Sequence, residues 1–314
     1  MNQPKLTTRL QRSLARNALY STRWLISRMP HFVFKFFFIV FMAVGRPLLN
    51  KKRLLALENL RTAFGREKDE RQIQKIADDC FNTFGKGMID FIWLLDRPKL
   101  IREKVSIIGK EHLDKTLQKG KGAILLSAHF GSFILMYLRM VKEGYKINVI
   151  MRRMRDQSFE KYISNFRDEN GLRTIYDLPP KPCIQQSLKC LRNNEILFIL
   201  LDQNYGGMGG VFVDFFGQQA ATATGPVIFS SRTGSPILPI FIQGDGDDHH
   251  KITIEPPVKL EESENNPQSL VNNVAMLTKI IERRIRQSPH EWGGWMHRRW
   301  KSQEIIAVSE NAGL

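Results

Sequence analysis

The chain has 314 residues, 42% hydrophobic and 25% charged, with a formal net charge of +16. This length fits one large domain or two small ones, and the composition excludes a disordered chain or a bundle of membrane spans. The charge is one-ended: Met1 to Arg61 carry twelve Lys or Arg against a single acid, Glu58, leaving +11 of the total. Such a balance suits a polyanion or the anionic face of a membrane.

Within that basic stretch, His31 to Gly45 is apolar except for Lys35, with five Phe in its first eight residues. A spanning helix needs about 20 apolar residues, so this segment predicts a membrane-embedded or interfacial helix, anchored by Arg23, Arg28, Lys51, Lys52 and Arg53. Lys35 interrupts the apolar run and no small-residue cleavage site follows, which speaks against a signal peptide. Charge gathered beside a Phe-rich anchor also speaks against nucleic acid as the partner.

Glu67 to Asp96 places Ile73, Ile76, Ala77, Cys80, Phe81 and Phe84 at helical spacing and predicts a long amphipathic helix. From Val105 onward, short β-type runs alternate with helical stretches. The strands are VSIIG, GAILLSA, KINVIM, LRTIYD and EILFILLD; the helices fall near 111–119, 132–142, 158–170 and 184–192. A Gly-rich loop, the strand VFVDFF, a helix from about Thr224, the strands SPILPIFIQ and KITIEPPV, and a helix over 268–286 complete the chain before a Trp- and Arg-rich tail. This rhythm predicts an α/β fold with a mainly parallel sheet covered by helices. The expected organisation is a basic membrane-anchor region over 1–65 and one catalytic domain over 66–314.

Three cysteines are too few for a disulfide framework. No Cys/His spacing fits structural zinc, and His249 and His250 sit in a polar Gly/Asp turn, so no metal site is expected.

The strand GAILLSA runs into Ala128, His129, Phe130, Gly131 and Ser132. Ligands gather at the carboxyl ends of strands in open α/β sheets, so His129 points at a crevice. A neutral imidazole there can take a proton from an attacking hydroxyl, and a helix start near Gly131 and Ser132 can offer N–H groups to an oxyanion; a turn-capping histidine is the alternative. Asp202, Gln203 and Asn204 end another β-run, as a second polar group or a cap. The glycines over 206–210 lack the Lys-Ser/Thr of a phosphate loop and read as a mobile loop. Arg152, Arg153, Arg155 and Arg167 suit phosphate recognition or a solvated face. The tail EWGGWMHRRWK suits a membrane interface, a headgroup or a packed clasp.

Together, LENLRTAF (57–64), SAHFGSF (127–133), the spacing of Arg152 to Arg167–Gly171, LDQN (201–204), GVFVDFFGQQAATATGP (210–226) and the tail resemble the lipid A late acyltransferases, the lauroyl- and myristoyltransferase family of the lysophospholipid acyltransferase group. The resemblance covers most of the chain. It implies a glycerolipid-acyltransferase-like fold, an acyl carrier protein as thioester donor, and a hydroxyl of a lipid A precursor or related glycolipid or phospholipid as acceptor. It further implies the cytoplasmic face of the inner membrane and no cofactor. His129 would be the general base, with Gly131, Ser132, Arg152, Arg167 and Gln203 binding substrate.

The family's His is followed after four residues by an acid, whereas this sequence has Ile134 at that position. Asp202 is the expected substitute, with Asp156 and Glu160 as further candidates. The departure leaves open an aminoacyl- or glycyl-transferring branch and a non-catalytic membrane- or nucleic-acid-binding relative.

Overall fold

Nine strands and ten helices alternate along the described residues, which in this computed structural model are 25, 28–45, 49–95, 97–154, 156–206, 209–246, 248–261 and 267–302. The strands are β1 (Val105–Ile108), β2 (Ala123–Ser127), β3 (Ile147–Met151), β4 (Leu172–Tyr176), β5 (Ile196–Leu200), β6 (Gly210–Phe215), β7 (Gln218–Ala223), β8 (Ile237–Gly244) and β9 (His250–Ile254). Seven of them form one sheet in the order β1-β9-β8-β2-β5-β3-β4, parallel throughout except for the β8/β9 pair. β6 and β7 form a separate antiparallel hairpin.

β2 lies in the middle of the sheet and all five of its residues are buried. Covering both faces of a parallel sheet requires this, which is why the strand reads as an unbroken apolar run. Its alternation still sorts the core: Ile124 and Leu126 join one hydrophobic cluster, while Ala123 and Leu125 join another on the opposite face.

The helices are α1 (His31–Gly45), α2 (Asn50–Phe64), α3 (Glu70–Leu94), α4 (Pro98–Lys104), α5 (Lys110–Leu117), α6 (Phe133–Lys142), α7 (Gln157–Glu169), α8 (Pro180–Arg192), α9 (Gly225–Thr233) and α10 (Pro267–Gln287). α3 starts three residues later than its apolar spacing suggests because Asp69 caps it. The Asp69 carboxylate accepts from the Gln72 N–H at 2.8 Å, and the Gln72 side chain accepts from the Asp69 N–H at 3.1 Å. Two short 3-10 turns, Pro289–Glu291 and Gly293–Met296, follow α10.

Three elements were not expected: the short α4, with Pro98 in its first turn, and α2 and β7. α2 docks through Ala56, Leu60 and Phe64 into the first cluster, beside Ile73, Ala77 and Cys80 of α3. β7, with the sequence QQAATA, carries no β-branched apolar residue. It is a strand because β6 pairs with it along its whole length and because Ala220 and Ala221 are buried.

α1 spans 15 residues, about 22 Å at 1.5 Å per residue, against a hydrocarbon core of about 30 Å. Among the described residues no helix is long and apolar enough to cross a membrane. One side of α1 docks on α3, with Phe34 buried in the cluster that holds Ile89 and Trp93. The other side leaves Phe32, Phe36, Phe37, Ile39 and Val40 exposed, Phe32 by 74%. His31 and Lys35 tie the helix down through Asp248 at 3.3 and 3.5 Å. Asp90 lies 3.6 Å from His31 and 3.0 Å from His250, and Lys86 lies 3.7 Å from Asp248. His250 therefore belongs to a buried polar clasp rather than to a solvated turn.

Candidate active site

Ser127 of β2 and Leu200 of β5 are registered partners in adjacent parallel strands. Two residues beyond each, the chain delivers His129 and Asp202 at the same edge of the sheet. His129 Nδ1 lies 2.9 Å from Asp202 Oδ1, and the His129 backbone N–H donates to Asp202 Oδ2 at 3.0 Å. The indole N–H of Trp292 donates to the same oxygen at 2.7 Å. The Asp202 side chain is fully buried, while that of His129 is 25% exposed.

Burial on its own would push the Asp202 pKa up. The charge and hydrogen bond of His129, the Trp292 indole and the His129 N–H overcome it and hold the carboxyl at about 2. For His129 burial is likewise the largest influence and disfavours the imidazolium, yet the Asp202 charge and hydrogen bond leave its pKa above the ordinary imidazole value. A carboxylate on Nδ1 keeps the proton there and leaves the Nε2 lone pair directed outward. The Gln203 amide lies 3.2 Å from Nε2 and donates to it. Gln203 is exposed, so an incoming hydroxyl can displace it.

The C-terminal segment locks the backbone of this turn. Gly293 N–H donates to the His129 carbonyl at 2.8 Å, and Gly131 N–H donates to the Glu291 carbonyl at 2.8 Å. Phe130 bridges Trp292 in antiparallel fashion between them. Gly131 has φ +54°, and a Cβ there would sit 2.2 Å from the Ile242 carbonyl oxygen, so only glycine fits. Its role is the turn, since its N–H is already spent on Glu291. Ser132 is buried and precedes α6, whose first N–H groups have no acceptor within the helix. The Phe133 ring lies 5.0 Å from the His129 ring, edge to face. Ile134, half-buried in the same first turn, stands where the family acid would be.

The other expected residues lie elsewhere. Glu160 is buried and accepts from Arg167 at 2.7 Å, Tyr176 at 2.8 Å and the Met154 N–H at 2.6 Å. Burial opposes its ionisation, but these donors keep its pKa below the usual carboxylate value. Arg167 is buried in that pair, and the exposed Arg152 holds Asp177 at 3.0 Å. Arg153 stacks over Tyr176 at 4.1 Å. Asp156 is exposed just before α7, and Arg155 lies outside the described residues.

Sequence reasoning gave no specific role to three residues of the tail. Trp292 supports Asp202. Arg299 is 1% exposed and donates to the carbonyls of Gln203 and Ala221 at 3.2 and 2.6 Å and to Thr222 Oγ1 at 2.7 Å. Burial draws its pKa down to about 10 while Asp202 pulls it up, so it stays charged at neutral pH and is a buried counter-charge for the dyad. His297, exposed, has its ring 6.2 Å from that of His129. The only forward signal was the crowding of Trp, His and Arg into eleven residues.

The sequence has relatives among known proteins. A model of the bacterial lipid A biosynthesis acyltransferases matches residues 8–302. The chain is similar to the lipid A biosynthesis palmitoleoyltransferase of Escherichia coli K12, 23% identical over 293 residues that cover 90% of this chain and 89% of that protein. It is also similar to the lipid A biosynthesis lauroyltransferase of the same organism, 22% identical over 287 residues and 89% of each chain. A phosphatidylinositol mannoside acyltransferase of Mycobacterium tuberculosis (strain CDC 1551 / Oshkosh) is 26% identical over 147 residues, 46% of each chain.

Proposed function

The chain belongs to the bacterial lipid A biosynthesis acyltransferase family and transfers an acyl group to a lipid acceptor, and we propose that the His129–Asp202 dyad carries the proton in that transfer. The donor is an acyl carrier protein thioester. The acceptor is a hydroxyl of a lipid A precursor or a related glycolipid or phospholipid.

The hydroxyl displaces the Gln203 amide from His129 Nε2, and the imidazole takes its proton as the oxygen attacks the thioester carbonyl carbon. Asp202, already ionised, stabilises the imidazolium through Nδ1. The oxyanion of the tetrahedral intermediate is met by N–H groups at the start of α6, beside Ser132, where the helix dipole is positive. The intermediate collapses, the C–S bond breaks, and the imidazolium returns its proton to the thiolate. The products are an ester and a free carrier thiol, and the base is regenerated.

The observation that carries this reading is the contact between His129 Nδ1 and Asp202 at 2.9 Å, with Nε2 turned to an exposed, displaceable side chain. Association with the cytoplasmic face of the inner membrane is supported by the exposed phenylalanines of α1 and by the exposed Lys51 beyond it. Mass spectrometry of lipids from cells with and without the protein tests the assignment. One lipid should gain the mass of a fatty acid less water; lipid profiles that stay identical count against it.

A further inference from the structure

The arginines expected to grip a phosphate are engaged within the chain, Arg167 on buried Glu160 at 2.7 Å and Arg152 on Asp177 at 3.0 Å. Two other cations, Lys52 and Arg298, lie on or against the tail segment that carries His297 beside His129. Lys52, on α2, is exposed, with Nζ held 3.0 Å from the Met296 carbonyl. The next residue, His297, is exposed with its ring 6.2 Å from that of His129. Its backbone is fixed by the buried amide of Asn59, which donates to the carbonyls of His297 at 2.8 Å and Trp295 at 2.7 Å. Arg298 follows, also exposed, and its guanidinium has no hydrogen-bond or ion-pair partner among the described residues. Enclosure of the His297 ring, then the charges of His129 and Lys52, depress its proton affinity.

Two exposed cations held on one segment, with the nearby acid Asp202 buried and already engaged, raise the local concentration of an anion. We propose that Lys52, His297 and Arg298 form an anion subsite that receives a phosphate group of the substrate beside His129. The inference rests on the acyl-transfer reading and names what the substrate must carry. Lys52 spends one of its three N–H groups on Met296 and has donors to spare. Arg298 can fork onto two phosphate oxygens, and neutral His297 adds one N–H. Two substrates offer this chemistry: a lipid acceptor bearing a phosphate, and the phosphodiester of a carrier's pantetheine arm.

The test uses the full chain in detergent micelles with four substrate combinations. An acceptor is supplied with and without its phosphate, and the acyl donor is either carrier-bound or an acyl-pantetheine lacking phosphate. For the variant K52Q/R298Q the KM of the substrate that occupies the subsite should rise about 10- to 100-fold, as loss of charge-assisted hydrogen bonds implies. Its kcat should stay within about threefold. The penalty should vanish when that substrate lacks phosphate, which identifies the source, and K52R/R298K should restore most of the affinity. An equal KM rise with and without phosphate in both arms, or no rise in any arm, overturns the subsite.

Inorganic pyrophosphate, titrated calorimetrically, tests the subsite without turnover. It should bind the wild-type chain and bind K52Q/R298Q at least about tenfold more weakly; equal binding overturns the inference. Pyrophosphate binding by a wild-type chain that transfers no acyl group would sink the enzymatic reading and leave the subsite standing.

Discussion

Replacing Asp202 with Asn is the perturbation whose consequences the geometry fixes most tightly. The carboxylate accepts three hydrogen bonds, from His129 Nδ1, the His129 N–H and the Trp292 indole. An amide of the same shape keeps one oxygen for two of these donors, and its NH2 then faces Nδ1. That contact favours the tautomer with the proton on Nε2, which cannot act as a base. The corresponding change in the Ser-His-Asp triad of a trypsin-type protease costs roughly 10⁴ in kcat, and a loss of about 10³–10⁴ is expected here. The pH profile carries a separate sign. Asp202 raises the His129 pKa, so activity in the wild-type chain should fall as pH drops through that raised value. Without the negative charge the imidazolium loses its stabiliser, and the acid limb of whatever activity remains should move to lower pH. Transfer of labelled acyl groups from carrier protein to lipid in micelles, measured from about pH 5 to about pH 9 to bracket the imidazole range, reads both effects. Activity within about threefold of wild type and an unmoved acid limb would refute the reasoning, since general-base contributions run to about 10²–10⁴.

The departure at Ile134 has its own test: Ile134→Glu should give no gain and a modest loss, because Asp202 already occupies Nδ1 and the new carboxylate enters a half-buried helical turn; a large gain in transfer rate would show that the dyad is incomplete. Arg299→Met should lower unfolding free energy by about 2–4 kcal/mol, because the carbonyls of Gln203 and Ala221 and the buried charge of Asp202 lose their partner. It should also move the acid limb to higher pH, since removing a nearby cation favours the imidazolium; a lowered stability with an unmoved limb would make Arg299 structural only. Paired changes Phe36→Asp and Phe37→Asp on the exposed face of α1 should weaken vesicle flotation by at least about tenfold at about 1.5–3 kcal/mol per lost side chain, and unchanged flotation would remove α1 from the membrane contact.

Much of the fold was legible because local rules and tertiary structure agree. β2 and β5 are short apolar runs ending in polar residues, and strand ends in a parallel sheet share one edge. This is why His129 and Asp202 could be paired across 73 positions. Elements held by tertiary contacts alone were hidden. β7 has little intrinsic strand character and exists through its pairing with β6. α2 lies in a basic stretch whose charge suggested a membrane surface, yet Asn59 reaches the tail carbonyls of Trp295 and His297. The support of Asp202 by Trp292, 90 positions away, leaves no periodicity to read. The same holds for Arg299, whose partners lie 78 and 96 positions back. The arginines show the opposite case: Arg167 has the residue type for phosphate, but Glu160, two turns back on the same helix, neutralises it.

Proton transfer by the outward Nε2 of His129 is tested most directly by a single-turnover measurement on His129→Ala. Labelled acyl carrier protein and lipid extract are mixed with the full chain in micelles, with circular dichroism as the check on folding. A folded variant should transfer acyl groups about 10²–10⁴-fold more slowly than wild type. Transfer at the wild-type rate by a folded variant would show that His129 is not the base.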